Sequence, residues 1–328
     1  MNKRDKTGTE DRTPTDADKL NRPPFKASID IGTNTVRCLI AGSGNNFLSP
    51  EYVDMKIIRL GENFKKEGII TGSSIRRLTD ALKIYIVKIK EYGIEPGDVV
   101  ITGTSVLRDA PNAPDVKNIL FKEFGLKLNI ISGEKEALIT LRGISSCFNN
   151  LNEFYSIDIG GGSTEYVCVK NGVPLWKYSL NMGVVHLTEE IIKSDPVSEE
   201  DLRKLEEEIE KKLSSLKAGI IKEGYLFEPL TLIGTAGTAT TLAMVDLKMS
   251  GYDRLKVNGY FLKKERAADI YKKFINTKIT DRLKIKGVEA GREDLVLAGA
   301  AIMLKSMDFF EVPGFTVSEC GLLEGLIS

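Results

Sequence analysis

The chain has 328 residues, with 46 basic and 46 acidic side chains and a single histidine. That length holds two domains with full cores, and balanced charge gives no global field to draw in a nucleic acid, so attraction for phosphate must be local. One histidine leaves no material for a histidine-rich metal centre and argues against a conventional Ser-His-Asp triad; a metal here would be a hard cation on oxygen ligands.

Residues 1–24 are polar, mixed in charge and poor in large apolar side chains, and read as a disordered tail. They lack the apolar run of a secretory signal, and no later stretch is long enough to span a membrane. The four cysteines (Cys38, Cys147, Cys168, Cys320) are scattered. Their spacing suits neither a zinc site nor a disulfide framework and fits a reducing cytoplasm.

Residues 25–43 predict a strand, a turn and a strand, with Asp30 before Gly32 and the small polar residues Thr33, Asn34 and Thr35 in the turn. Residues 55–60 read as another strand. A helix follows Thr71-Gly72-Ser73, with Ile75, Leu78, Leu82, Ile86 and Ile89 on one face. Residues 99–101 form a short buried strand running into Gly103-Thr104-Ser105. Arg108 lies just beyond, where its planar fork of donors can reach a phosphate or simply pair with Asp109. Residues 127–131 predict a strand, and Ser132 opens a helix towards Gly143. Glu134 and Glu136 fall in its first turn, where the helix dipole favours acids and where a carboxylate can also orient a water. Spacing alone assigns that role to neither.

The most informative stretch comes next. Residues 154–159 read as a buried strand, and Gly160, Gly161 and Gly162 then force a tight turn whose amides lie open to a ligand. Ser163 and Thr164 add hydroxyls, and Asp158 and Glu165 add carboxylates able to hold a cation or a water. A second strand occupies 166–169. A P-loop needs a lysine and a following helix, and a dinucleotide fingerprint also opens a helix, so both are excluded. Ser156-Ile157-Asp158-Ile159-Gly160 repeats Ser28-Ile29-Asp30-Ile31-Gly32 at a spacing of 128 positions. The repeat predicts a duplicated domain whose glycine hairpins face each other across a cleft, with phosphate between them.

Residues 176–180 lead to Met182-Gly183, and the lone His186 reads as a structural residue. Ser198 opens a charged helix with Leu202, Leu205, Ile209, Leu213 and Leu216 as its apolar stripe. The strand 230–233 ends in a turn of Gly234, Thr235, Ala236, Gly237 and Thr238 that leads into a helix, a place for a further phosphate or a plain tight turn. Lys263-Lys264 and Lys272-Lys273 extend a phosphate track or coat a helix surface. A buried helix over 295–307, a strand at 316–318 and a terminal helix from Gly321 complete the chain. Strands alternate with helices, so the class is α/β.

From residue 27 onward these motifs together resemble the exopolyphosphatase and guanosine pentaphosphate phosphatase family. The likeness rests on Asp30 to Thr35, Arg59 to Glu62, Thr104 to Arg108, Ile131 to Ala137, Asp158 to Glu165, Gly234 to Thr240 and Leu297 to Ala301. It implies the actin-like ATPase superfold (sugar kinase, Hsp70, actin), with two ribonuclease-H-like domains and an active site in the cleft between them. The expected boundaries are 25–132 for the first domain and 133–307 for the second, with residues 308–328 packing back on the first. The resemblance also implies processive hydrolysis of terminal phosphate from inorganic polyphosphate, or removal of the 5′ phosphate of pppGpp.

Carried over by motif, Glu136 is the residue that activates water, Arg108 stabilises the transferring group, and Asp158 with Glu165 holds Mg2+, with a monovalent cation such as K+ beside it. Gly160, Gly161, Gly162 and Ser163 would bind the terminal phosphate, Asp30, Thr33 and Asn34 the opposing wall, and Gly234, Gly237 and Thr238 a third contact. His186 and Leu323 stand where the family often has arginine. A short two-domain cytoplasmic form and a homodimer are expected by the same resemblance, with no nucleic-acid or membrane partner. A sensor of polyphosphate or alarmone with little turnover is the alternative from another class, and a sugar kinase ranks below it.

Overall fold

The computed structural model describes residues 25–44, 47–148 and 151–328; the expected disordered tail lies outside the described residues. Two mixed sheets organise the chain. The first contains β1 (Phe25–Ile31), β2 (Thr35–Gly44), β3 (Phe47–Ile57), β4 (Val100–Gly103) and β5 (Asn129–Ile130), in the order β3-β2-β1-β4-β5. The second contains β6 (Phe154–Ile159), β7 (Thr164–Lys170), β8 (Val173–Leu180), β9 (Thr231–Thr235), β10 (Phe261–Lys263) and β11 (Gly314–Ser318), in the order β8-β7-β6-β9-β11-β10. Each sheet starts with an antiparallel meander of three strands, to which the next strand adds in parallel. The repeat of sequence is therefore also a repeat of topology.

The principal helices are α1 (Gly72–Glu91), α2 (Val106–Asp109), α3 (Ala113–Phe124), α4 (Gly133–Cys147), α5 (Val184–Ile191), α6 (Glu199–Lys222), α7 (Ala236–Asp246), α8 (Lys264–Ile275), α9 (Val296–Phe309) and α10 (Leu322–Ile327). Among the described residues no helix is long and apolar enough to cross a membrane. In α1 the Thr71 side chain caps the N-terminus by accepting from the Ser74 amide, and Leu78, Leu82, Tyr85, Ile86 and Ile89 form the buried face. That face packs on β1, β2 and β4 in one core, and a larger core joins the second sheet to α6, α7, α8 and α9.

The alternation of a strand explains what lies on each face of β6. Tyr155, Ile157 and Ile159 enter the large core, whereas Phe154 enters a separate cluster with Ala137, Leu141 and Ile144 of α4. Asp158 shares the parity of Phe154 and so faces α4. In the first sheet the equivalent face of β1 is covered by α10: Ser28 Oγ donates to the Leu323 carbonyl at 2.8 Å, and Lys26 Nζ to the Ile327 carbonyl at 2.8 Å. Thus α4, which follows the first sheet, covers the second, and α10, which follows the second, covers the first. Within residues 308–328, β11 pairs with β9 in the second sheet, and α10 alone returns to β1 and β2.

Several expectations are corrected. The strand expected at 55–60 is β3, which begins at Phe47; as an edge strand it tolerates Pro50 and its charged residues. Helix α3 and strand β10 were not anticipated. Two of the cysteines are brought together: Cys147 and Cys320, 173 positions apart, lie within reach of a disulfide with Cα atoms 6.1 Å apart, because the end of α4 meets the turn before α10. Cys38 and Cys168 are free and buried in strands.

Candidate active site

A cleft lies between the sheets, lined by both glycine hairpins and by the β9–α7 turn. The hairpins are built alike. The Gly32 amide donates to the Thr35 carbonyl and the Gly160 amide to the Ser163 carbonyl, each at 2.9 Å. The second hairpin rests on the start of α5, whose Val184 and Val185 amides donate to the Gly160 and Gly161 carbonyls at 3.0 and 2.9 Å. A side chain at Gly162 would strike Ser105, Thr33 and the His186 ring, so the glycine there permits contact between the two halves.

Strand register places the acids. Ser179, Glu165, Asp158 and Thr235 are successive neighbours across β8, β7, β6 and β9. Ser179 Oγ donates to Glu165 at 2.7 Å. Over this row lies the first turn of α4, capped by the Ser132 side chain. Glu136 points inwards with its side chain 10% exposed, while Glu134 points outwards, 68% exposed, towards Lys177. Burial separates two glutamates that spacing left equivalent.

Arg108 leaves α2 and donates through Nη1 to Glu136 at 2.9 Å and to the Ile131 carbonyl at 3.1 Å. The alternative pairing with Asp109 is not the one adopted. Burial, then repulsion from Glu165 and Asp158, holds the Glu136 carboxyl well above the usual range, against the contrary pull of Arg108. Burial raises Asp158 to about 6, with Arg37 opposing and Asp30 adding to the rise. Burial and the neighbouring Asp158 push Glu165 up to about 7.

On the facing sheet the corresponding row is Met55, Arg37, Asp30 and Thr102. Arg37 donates to Asp30 Oδ2 from Nε at 3.1 Å and from Nη2 at 2.7 Å. Asp30 Oδ1 and Asn34 Oδ1 are buried without a partner. The donors gathered here are oxygens, the chemistry of a hard divalent cation, yet no group of three or more acids forms a ready cage among the described residues. Magnesium suits such a site because it keeps several waters and takes one or two carboxylates.

Asp30, Thr33, Asn34, Glu136, Asp158, Gly160, Gly161, Ser163, Gly237 and Thr238 all line the cleft. Arg108 touches it through Glu136, and Glu165 sits in the row behind. Gly234 is placed differently: it lies within β9 against Phe315, Ala239 and Met303, in the core. His186 is buried beside the second hairpin, with Nδ1 3.2 Å from Asn181 Oδ1 and Nε2 unpartnered; burial, then Lys65, lowers its pKa.

Two arginines of the cleft wall were not anticipated. Arg37 was legible as the cross-strand neighbour of Asp30. Arg292 arrives from the loop before α9, donating to Met55 Sδ at 2.8 Å, and no motif marks it. Ser105 and Ala236, also in the wall, are held at φ of 36° and 63°. Such backbone costs about 1–3 kcal/mol per residue and gathers at functional sites.

Duplicated sheets, each an antiparallel three-strand meander joined by a parallel fourth strand and each offering a glycine hairpin to a common cleft lined with carboxylates, define an actin-like ATPase fold equipped for phosphate chemistry. Residues 39–328 match the Ppx/GppA phosphatase family, and the chain belongs to that family of phosphoanhydride hydrolases. A bifunctional 3-dehydroquinate synthase/phosphatase of Fusobacterium nucleatum is 33% identical over 320 residues, covering 94% of this chain and 47% of the relative. The chain thus spans about half that relative's length. Exopolyphosphatase 2 of Mycobacterium tuberculosis is 28% identical over 319 residues, covering 92% of this chain and 96% of the relative. The crystal structure of the Aquifex aeolicus Ppx/GppA family member superposes with a TM-score of 0.77 at 32% identity, covering 92% of this chain and 96% of that one.

Proposed function

We propose that the protein is an exopolyphosphatase that releases the terminal phosphate of inorganic polyphosphate by in-line attack of water. The observation that carries this reading is the buried Glu136, held by Arg108 at 2.9 Å beside the Gly160–Ser163 hairpin. A carboxylate whose proton affinity has been raised accepts a proton from water more readily near neutral pH. The amides of the hairpin orient the terminal phosphate, and Thr33 and Asn34 close over it from the other sheet. Arg108 adds positive charge where the equatorial oxygens gain negative charge, a contribution of central weight in phosphoryl transfer.

Asp158, with Asp30 close by, would hold Mg2+, which when bound supplies charge neutralisation for the bridging oxygens. Glu165 shapes the pocket from the adjacent strand and is the second candidate ligand. The leaving group is the shortened chain, whose next phosphate then takes the place of the first.

The test is phosphate release by the purified full chain with magnesium from long-chain polyphosphate and from pppGpp in parallel, beside Glu136→Ala. Faster release from polyphosphate, lost in the variant, is the expected result. Faster release from pppGpp would make it an alarmone phosphatase instead, and binding without release would make it a sensor.

A further inference from the structure

The chain passes between its two sheets twice, and one pair of cysteines joins the two passages. Cys147 is the last residue of α4, the helix that leads from the first sheet to the second. Cys320 lies in the turn between β11 and α10, through which the chain returns. The helices touch backbone to backbone beside this pair, because a side chain at Gly143 would strike the Gly321 carbonyl and one at Gly325 the Ile139 carbonyl. The same turn is tied to the end of β9, one residue before the Ala236–Thr238 part of the cleft wall, since Thr235 Oγ1 donates to the Ser318 carbonyl at 3.0 Å and to the Cys320 carbonyl at 3.3 Å.

The surroundings of the two sulfurs suit exchange rather than permanent closure. Cys147 is partly exposed, whereas Cys320 is 2% exposed. Arg254 Nη2 lies 3.3 Å from Cys320 Sγ and is anchored on Glu324 at 2.8 Å. The guanidinium donates to the sulfur at that distance. Glu324 sits three residues after Gly321, as Glu136 sits three residues after Gly133. The fold thus holds two Glu–Arg pairs, Glu136–Arg108 at the cleft and Glu324–Arg254 beside a sulfur. Cys38 and Cys168 lack such a neighbour; burial and nearby carboxylates push their thiols up to about 12 and about 11.

We propose that Cys147 and Cys320 form a redox-modification site that takes a low-molecular-weight disulfide, and that its closure staples the two crossings and restrains opening of the cleft. The exchange balances without another reactant. The Cys147 thiolate attacks the small disulfide, forming a mixed disulfide and releasing one small thiol. The Cys320 thiolate then attacks the Cys147 sulfur and releases the second. The two protein thiols are oxidised by two electrons, the small disulfide is reduced to two thiols, and their protons leave with the products. The chemistry at sulfur stands apart from the proposed hydrolysis, and only its effect on turnover rests on that reading.

The test equilibrates the full chain in buffers of reduced and oxidised glutathione, blocks free thiols by alkylation and locates the labels by mass spectrometry. Hydrogen exchange is followed at the end of α4 and in the β11–α10 turn, with phosphate release measured in parallel. Cys147 and Cys320 are expected to gain and lose labels together while Cys38 and Cys168 stay constant. Oxidation is expected to slow exchange at both crossings and lower turnover severalfold, and Cys147→Ser and Cys147→Ala should lose this sensitivity. Independent labelling of the two cysteines, or joint labelling with unchanged hydrogen exchange, would overturn the proposal. Redox-dependent exchange in a protein that releases no phosphate would retain the staple and defeat the proposed hydrolysis alone.

Discussion

Arg108 and Glu136, 28 positions apart in sequence, meet at 2.9 Å, and every other group near this contact is arranged by strand register or helix direction. Arg108 comes from α2, the short helix after β4 in the first half, and Glu136 enters from the helix that covers the second sheet. Replacing Glu136 by Gln keeps the shape and removes the proton acceptor. The expected result is a fall in kcat of about 10²–10⁴-fold with the folded signal intact, the range of a lost general base. Phosphate release beside circular dichroism checks it, and a variant within twofold of the parent would remove Glu136 from the chemistry.

Arg108→Lys separates charge from geometry. Lysine keeps the cation but loses the planar guanidinium, whose Nη1 serves both Glu136 and the Ile131 carbonyl and whose other nitrogens remain for a phosphate. Loss of one stabilising donor costs about 10²–10³-fold in kcat. The lysine variant is expected to approach that loss and to change KM less than kcat, as determined by initial rates over a range of polyphosphate concentrations. Equal activity of the two proteins would show that only the charge matters.

Much of this arrangement was readable before the fold was known. The repeated Ser-Ile-Asp-Ile-Gly marked both hairpins, because an acid followed by a glycine turn has few uses in a core strand. It also implied the repeated strand order. The choice between Glu134 and Glu136 depended on which side of α4 meets β6, a tertiary fact that helix periodicity does not contain. Helix α3 was legible in principle, since Pro114 and Asp115 in its first turn and Gly125 at its end are ordinary boundary signals. Arg292 and the Cys147–Cys320 pair were out of reach, because loops from distant parts of the chain bring them into place.

Gly162 is expected to tolerate no side chain. In Gly162→Ala the added carbon falls 1.9 Å from Ser105 Oγ, 2.9 Å from Thr33 Oγ1 and 3.1 Å from the His186 ring, so both hydroxyls must rotate out of their places in the cleft and the ring must give by a few tenths of an ångström. The hairpins are then pushed apart, and a misplacement of about 1 Å costs about 10²-fold in rate. Kinetics on polyphosphate should show both a higher KM and a lower kcat, while thermal unfolding changes little because the large core is untouched. Parental kinetics would mean that the gap between the hairpins is not the phosphate site.

The crowded carboxylates give the metal-free protein a pH-dependent stability. Asp158 and Glu165 have folded pKa values near 6 and 7, above their ordinary values, because burial disfavours the charged forms. Their contribution is fully present below the ordinary carboxylate pKa and is lost as pH rises through about 6 to 7. Differential scanning fluorimetry in EDTA should therefore give a midpoint several degrees lower at pH 8 than at pH 5.5. Magnesium should recover most of the difference at pH 8, and Asp158→Asn should both raise the metal-free midpoint and reduce the response to magnesium. A magnesium response unchanged in Asp158→Asn would place the ion elsewhere.

The contact between α4 and α10 admits a direct test of packing. Gly143 lies inside a helix, where alanine is ordinarily favoured over glycine by about 1 kcal/mol. Here the added methyl would meet the Gly321 carbonyl, a backbone atom that cannot rotate away. Overpacking costs about 1–3 kcal/mol, so the clash is expected to exceed the propensity gain and Gly143→Ala to be less stable than the parent. Gly72, at the start of α1, has open space around it, and Gly72→Ala serves as the control with an unchanged or slightly raised midpoint. The comparison is made by urea unfolding under reducing conditions, so that the Cys147–Cys320 bond does not mask the difference. If Gly143→Ala proves the more stable of the two variants, the close crossing of α4 and α10 is not a rigid feature of the fold.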